Sequence, residues 1–235
     1  MEEFLRLNYS KITLGVEVLA AVTGLLLFKK YRYTAAKYFI YFLVYIVFCA
    51  YIARYVKYIN NEGFLNFLEG TVFQTNHWWS TLTWKIGAVV FFSFLYQKIL
   101  KRERDKYIVK YSRIGFLLFS LLYIILNFKA FFTQFFPIIS VLGAIVILTC
   151  AVLYFMQMLK SERILDFYKS LNFYISSAIL LWWLIITPLI FFDIYFSKSD
   201  LDFVFLKWQI YLFANIFMYT TFTIGLIVSK PEESK

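Results

Sequence analysis

Long apolar runs separated by short polar gaps fill this chain, and seven of the runs are long enough to cross a lipid bilayer. A spanning α-helix needs about 20 mostly apolar residues, because the hydrocarbon layer is about 30 Å thick and a helix rises about 1.5 Å per residue. The runs occupy residues 12–28, 38–56, 78–100, 114–132, 135–159, 173–196 and 203–228. They predict an all-α integral membrane bundle of seven transmembrane helices, with residues 1–235 forming a single domain. The gaps are too short to bury cores of their own, since independent domains usually need about 50 residues. The fourth run is the weakest, because it reaches spanning length only by including the residues just beyond Lys129.

The basic residues orient the bundle. Most of the Lys and Arg side chains fall in alternate gaps: Lys29, Lys30, Arg32 and Lys37, then the stretch 97–113, then Lys160, Arg163 and Lys169, then Lys230 and Lys235. Short loops rich in Lys and Arg stay in the cytoplasm, so the N-terminus is expected outside and the C-terminus in the cytoplasm. Trp78, Trp79 and Trp208 then mark the outer boundary, and Tyr31, Tyr33, Tyr107 and Tyr111 the inner one, where amphipathic rings prefer to sit. Glu2 and Glu3 before the first run, with Lys29, Lys30 and Arg32 after it, predict a retained helix rather than a cleaved signal peptide. A bacterial inner membrane is the expected location. In the longest outer gap, 57–76, residues 63–68 have apolar positions at helical spacing, which fits either a short interfacial helix or a loop.

Composition narrows the function classes. A chain that is 62% hydrophobic and 23% aromatic, with a mean hydropathy of +0.69, lies far from the composition of soluble domains. Its net charge of +10 sits at helix ends rather than on one amphipathic face, so nucleic acid is not an expected partner. Cys49 and Cys150 fall inside predicted helices and act there as small apolar residues. His77 is the only histidine, which excludes a bis-histidine haem within one chain, and no cofactor or metal is expected. The topology resembles that of microbial rhodopsins, but that resemblance implies a retinal lysine in the middle of the last helix. Here Lys207 lies at its start, and residues 215–222 contain none. Phosphate-binding, dinucleotide-binding and hydrolase motifs are absent from the sequence, so an enzyme is not expected.

The polar residues inside the runs carry the functional expectation. Ionisable side chains at membrane depth are costly and usually face a bundle interior or a wet cavity. Glu17 and Lys85 fall at similar depth, about 10 Å below the outer boundary at 1.5 Å per residue, and are expected to pair in an outward-facing polar pocket. Arg54, His77, Asp193 and Asn215 share that outer half. On the inner side Lys101, Arg102, Arg104 and Lys106 suit anionic lipid or an acidic partner. The expected function is a non-enzymatic sensor or accessory subunit with a ligand pocket and a cytoplasmic or membrane signalling partner, the alternative being a small-solute transporter.

Overall fold

The computed structural model describes residues 2–59, 63–195 and 201–231. Among them the chain is helical with no strand, and its one β-bridge pairs Ser170 with Lys230. The long elements are α1 (Glu2–Leu26), α2 (Ala36–Ile52), α3 (assembled from His77–Ser80, Thr81–Ile86 and Gly87–Ile99), α4 (Glu103–Leu126), α5 (Pro137–Leu159), α6 (Leu171–Tyr195) and α7 (Leu201–Val228). Among the described residues six helices are long and apolar enough to cross a membrane. The exception is α3, whose first half carries His77, Ser80, Thr81, Thr83 and Lys85. Large apolar side chains such as Leu26, Leu118, Leu122, Ile125 and Leu126 stand exposed in number. Water would not tolerate so continuous an apolar surface, whereas lipid requires it, and helices meet every backbone hydrogen bond internally there. The protein is an integral membrane helical bundle.

Local chemistry explains where the helices differ from the expected bounds. Helix α4 starts eleven residues before the predicted apolar run, because Glu103 and Asp105 occupy its first turn and complement the positive end of the helix dipole. Most of the basic stretch 97–113 is therefore helix rather than loop. At its other end Asn127, with φ −119° and ψ 37°, breaks the helix, and Phe128–Thr133 forms a separate short piece holding Lys129. Pro137 opens α5 at a first-turn position, where its missing N–H costs no intrahelical bond. The stretch 63–68 forms no interfacial helix, only a 3₁₀ turn at Asn66–Leu68, with Phe64 and Phe67 exposed.

The helices close into a ring in chain order. α1 packs on α2 and, more extensively, on α7; α7 on α6; α6 on α5; α5 on α3; and α2 completes the circuit against α3. α4 lies outside this ring against α3 and α5, so only 22% of its apolar window is buried, against 50% for α5. Glycines permit the closest approaches: a Cβ on Gly225 of α7 would stand 2.7 Å from the Tyr174 Cβ of α6, and one on Gly143 of α5 would stand 2.9 Å from Val89 of α3. One clasp joins the two ends of the fold. From the short helix Phe28–Tyr31, the Tyr31 hydroxyl donates to the Leu226 and Ser229 carbonyls (2.8 and 3.2 Å), and Lys30 Nζ donates to the Leu226 and Ile227 carbonyls (3.2 and 3.1 Å). These donors satisfy carbonyls that the end of α7 leaves without intrahelical partners. Burial pushes the Tyr31 phenol up to about 12, so it remains a neutral donor throughout the physiological range.

Candidate functional site

A partly open cavity of about 470 Å³ lies among α1, α3, α5, α6 and α7, at the end of the bundle marked by Phe135 and Trp208. Helix periodicity builds one wall. Lys207, Tyr211, Asn215 and Tyr219 follow at four-residue spacing, which places them on one face of α7 and runs the wall about 18 Å along the axis. On α1, Tyr9 and Glu17 lie about 12 Å apart along the helix by the same rise per residue. Glu17 is 8% exposed. Arg54 and Tyr219 are the neighbouring groups that act on its carboxyl.

The part of α3 that reaches the cavity is not α-helical. Thr81–Ile86 widens into a π-helical turn that carries Trp84 and Lys85, a distortion frequent at functional sites. The Thr83 hydroxyl donates to the Trp79 carbonyl (2.7 Å), satisfying an acceptor beside the widened turn. Lys85 rises toward the mouth. Its backbone carbonyl faces Gly143, two turns into α5, while its ammonium lies 4.6 Å from the ring centre of Phe135, just before that helix starts.

Aromatic rings line much of the rest. Trp84, Trp182 and Trp183 meet edge to face, at 5.4 Å and 79° for the first pair and 5.2 Å and 81° for the second. Trp182 Nε1 donates to Asn215 Oδ1 at 2.8 Å, linking α6 to α7. Replacing Asn215 with leucine is expected to cost about 1 kcal/mol by orphaning that indole N–H, read as a lower unfolding midpoint together with shifted tryptophan emission.

The cavity unites Glu17, Lys85 and Asn215, and it adds Lys207. Among the described contacts there is no ion pair between Glu17 and Lys85; the Lys85 ammonium lies over the Phe135 ring. Arg54 lies beside the cavity rather than in its wall, with its guanidinium donating to the Ser10 carbonyl (2.7 Å) and hydroxyl (3.2 Å). His77 packs edge-on against Phe135 with centroids 4.0 Å apart. The Asp193 side chain lies outside the described ones.

Three residues lining the cavity, on α1, α5 and α6, each carry a buried polar atom without a hydrogen-bond partner: Glu17 Oε2, Ser140 Oγ and Trp183 Nε1. Such groups are costly unless water or a ligand satisfies them, and three of them occur among the residues around this cavity. Sequence reasoning missed Tyr9, Ser140, Trp84, Trp182, Trp183 and Tyr219. The four-residue ladder along 207–219 was the available signal for the last of these.

At the opposite end Lys101 and Arg102 form the connector before α4, Arg104 lies on its first turn, and all three are exposed. Lys106 is tied to Glu103 at 2.7 Å and is half-buried. The backbone N–H of Lys101 donates to Gln157 Oε1 (2.8 Å), which anchors the connector on α5. Among the described residues no three His, Cys, Asp or Glu side chains converge as a metal site requires. No family model, curated protein or solved structure matches this chain, so its function has to be read from geometry.

Proposed function

We propose that this chain is a small membrane sensor or accessory subunit, not an enzyme, that takes a ligand in the Glu17 cavity and communicates through its basic end. In this reading α3 is a seventh crossing, the N-terminus and the cavity face outward, and the Lys101 to Lys106 region lies in the cytoplasm of a bacterial inner membrane. The distribution of Lys and Arg supports that orientation. The observation supporting the ligand role is that three residues lining one cavity, Glu17, Ser140 and Trp183, each carry a buried polar atom without a hydrogen-bond partner. Little of the described chain lies beyond the helices on the basic side, so a signal must pass to another protein or to lipid, and exposed Lys101, Arg102 and Arg104 supply the contact.

The deciding experiment is reconstitution. Protein in liposomes is expected to move no solute and to co-purify with a membrane or cytoplasmic partner that is lost when Lys101, Arg102 and Arg104 are changed together to glutamate. Cysteine at position 102 is expected to react only from the cytoplasmic side; labelling from outside overturns the orientation. Transport is the second reading, favoured by the length of the cavity and by Pro188, which removes a backbone hydrogen bond from α6 between cavity-lining Ile186 and Ile190. Solute flux abolished by Glu17→Gln and by Lys85→Met would establish it in place of the first.

A further inference from the structure

A second site lies toward the basic end, away from the Glu17 cavity. Helices α2 and α4 both pack against α3, and an open groove of about 510 Å³ is lined by all three. On α2 the lining runs from Tyr38 to Tyr45 and on α3 from Gly87 to Phe94, each at the i, i+3, i+4, i+7 spacing of one helix face, which makes the groove about 10 Å long. Its middle is apolar, with the Phe42 and Phe91 rings stacked 4.0 Å apart and Val90 beside them. Nearer the basic end Tyr38 and Phe94 meet edge to face, with centroids 5.2 Å apart. Each ring of that pair carries an ammonium: Lys37 Nζ lies 5.1 Å from the centre of Tyr38, and Lys98 Nζ 5.7 Å from that of Phe94.

Helix α4 contributes Arg113. It lies about 15 Å along the axis from Glu103, at a depth where an ionisable side chain is costly. Helical side chains lean toward the N-terminus, which in α4 is the basic end, so the guanidinium reaches back toward the level of Lys37 and Lys98. Among the described residues none of these three cations has a carboxylate partner, and no acidic residue lines the groove. Glu103 is tied to Lys106, and Asp105 lies about 12 Å along α4 from Arg113. Cations at one end of an apolar groove match an amphiphile rather than a soluble anion, and a length of about two helical turns offers a partner helix little to pack on. Arginine holds phosphate through two parallel N–H donors, and basic pockets between membrane helices on the cytoplasmic side collect anionic head groups. We propose that the groove holds one anionic phospholipid, its phosphate on Arg113 with Lys37 and Lys98 adding positive charge, and one acyl chain along Phe42, Val90 and Phe91. The choice of leaflet rests on the orientation proposed above; the lipid class rests on the groove alone.

The test is native mass spectrometry of the full chain in detergent, titrated with phosphatidylglycerol and with phosphatidylcholine of matched acyl chains. One phosphatidylglycerol is expected to be retained with a preference of about tenfold or more over phosphatidylcholine, and Arg113→Gln should remove about tenfold of it. Arg113→Lys should keep part of the preference, since it retains the charge but not the two-donor fork. If Arg113→Gln does not fold, Lys37→Gln with Lys98→Gln supplies the second handle, lowering the preference about fivefold. Val90→Trp, which fills the groove, should cut retention of both lipids in folded protein. The preference should survive Lys101→Gln, Arg102→Gln and Arg104→Gln made together, because those residues lie outside the groove. Equal retention of the two lipids, retention of neither, or a preference that follows the 101–104 connector instead of Arg113 overturns the inference. So does a second copy of the chain, or another polypeptide, held in place of lipid and released by Val90→Trp. Labelling at position 102 still decides the orientation independently, because lipid selectivity in detergent has no sidedness.

Discussion

Gly225→Leu is expected to lower the stability of the bundle by about 2 to 3 kcal/mol, a cost typical of overpacking a close contact. Even a single Cβ at this position meets the Tyr174 Cβ at 2.7 Å and Leu171 Cδ1 at 3.2 Å, and the Tyr174 atom cannot swing away because it is attached directly to the α6 backbone. Leucine therefore forces α6 and α7 apart along the face that also carries Trp182 and Asn215. The matched control is Gly115→Leu on α4, where nothing lies within 4 Å of the added carbon. There the substitution should be neutral or stabilising, since leucine is the better helix former by about 0.5 to 1 kcal/mol. Unfolding of both variants in detergent with increasing SDS measures the difference. Equal midpoints would show that the α6–α7 approach is looser than described.

Phe222→Ala is the second large effect, at about 2 to 3 kcal/mol. Phe222 is 1% exposed and stands edge-on to Phe39 of α2 with centroids 4.9 Å apart, joining the last helix to the second. In a water-soluble core the same truncation costs about 3 to 5 kcal/mol. Part of that figure is transfer out of water, and in a membrane a displaced phenylalanine remains in apolar surroundings, so mainly lost packing is counted. The Phe39→Ala and Phe222→Ala pair is expected to be less damaging than the sum of its singles, because the second truncation removes a contact already gone. Strict additivity in SDS unfolding would show that the two rings do not interact.

Most of the helical pattern was legible because the lipid layer imposes a length and an apolarity that few other structures satisfy. The segments 135–159 and 203–228 match α5 and α7 to within two residues. Boundaries were less legible where polar chemistry, not hydrophobicity, sets them: α4 begins at Glu103 through charge at its first turn, a signal that an apolar-run criterion discards. Glu17, Lys85 and Asn215 stood out because polar groups in an apolar run are conspicuous. Trp84, Trp182 and Trp183 did not, since an indole reads equally well as lipid contact, packing or binding wall until its neighbours are known. The π turn at Thr81–Ile86 was not legible at all, because its sequence departs from α-helical preference nowhere that periodicity records. That turn carries Lys85, whose ammonium lies 4.6 Å from the Phe135 ring centre.

The ring is completed by contact between its earliest and latest helices, and this has a consequence during biosynthesis. While the ribosome is still making the middle of the chain, α1 already sits in the bilayer with its larger packing face, the one meant for α7, turned to lipid or to a chaperone. Glu17 must wait about two hundred residues for Tyr219, and the clasp from Lys30 and Tyr31 closes only once Ser229 has emerged. Assembly of this protein thus includes a long-range closure, and a nascent chain without α7 leaves Glu17 with Arg54 but without Tyr219, a costly arrangement at membrane depth.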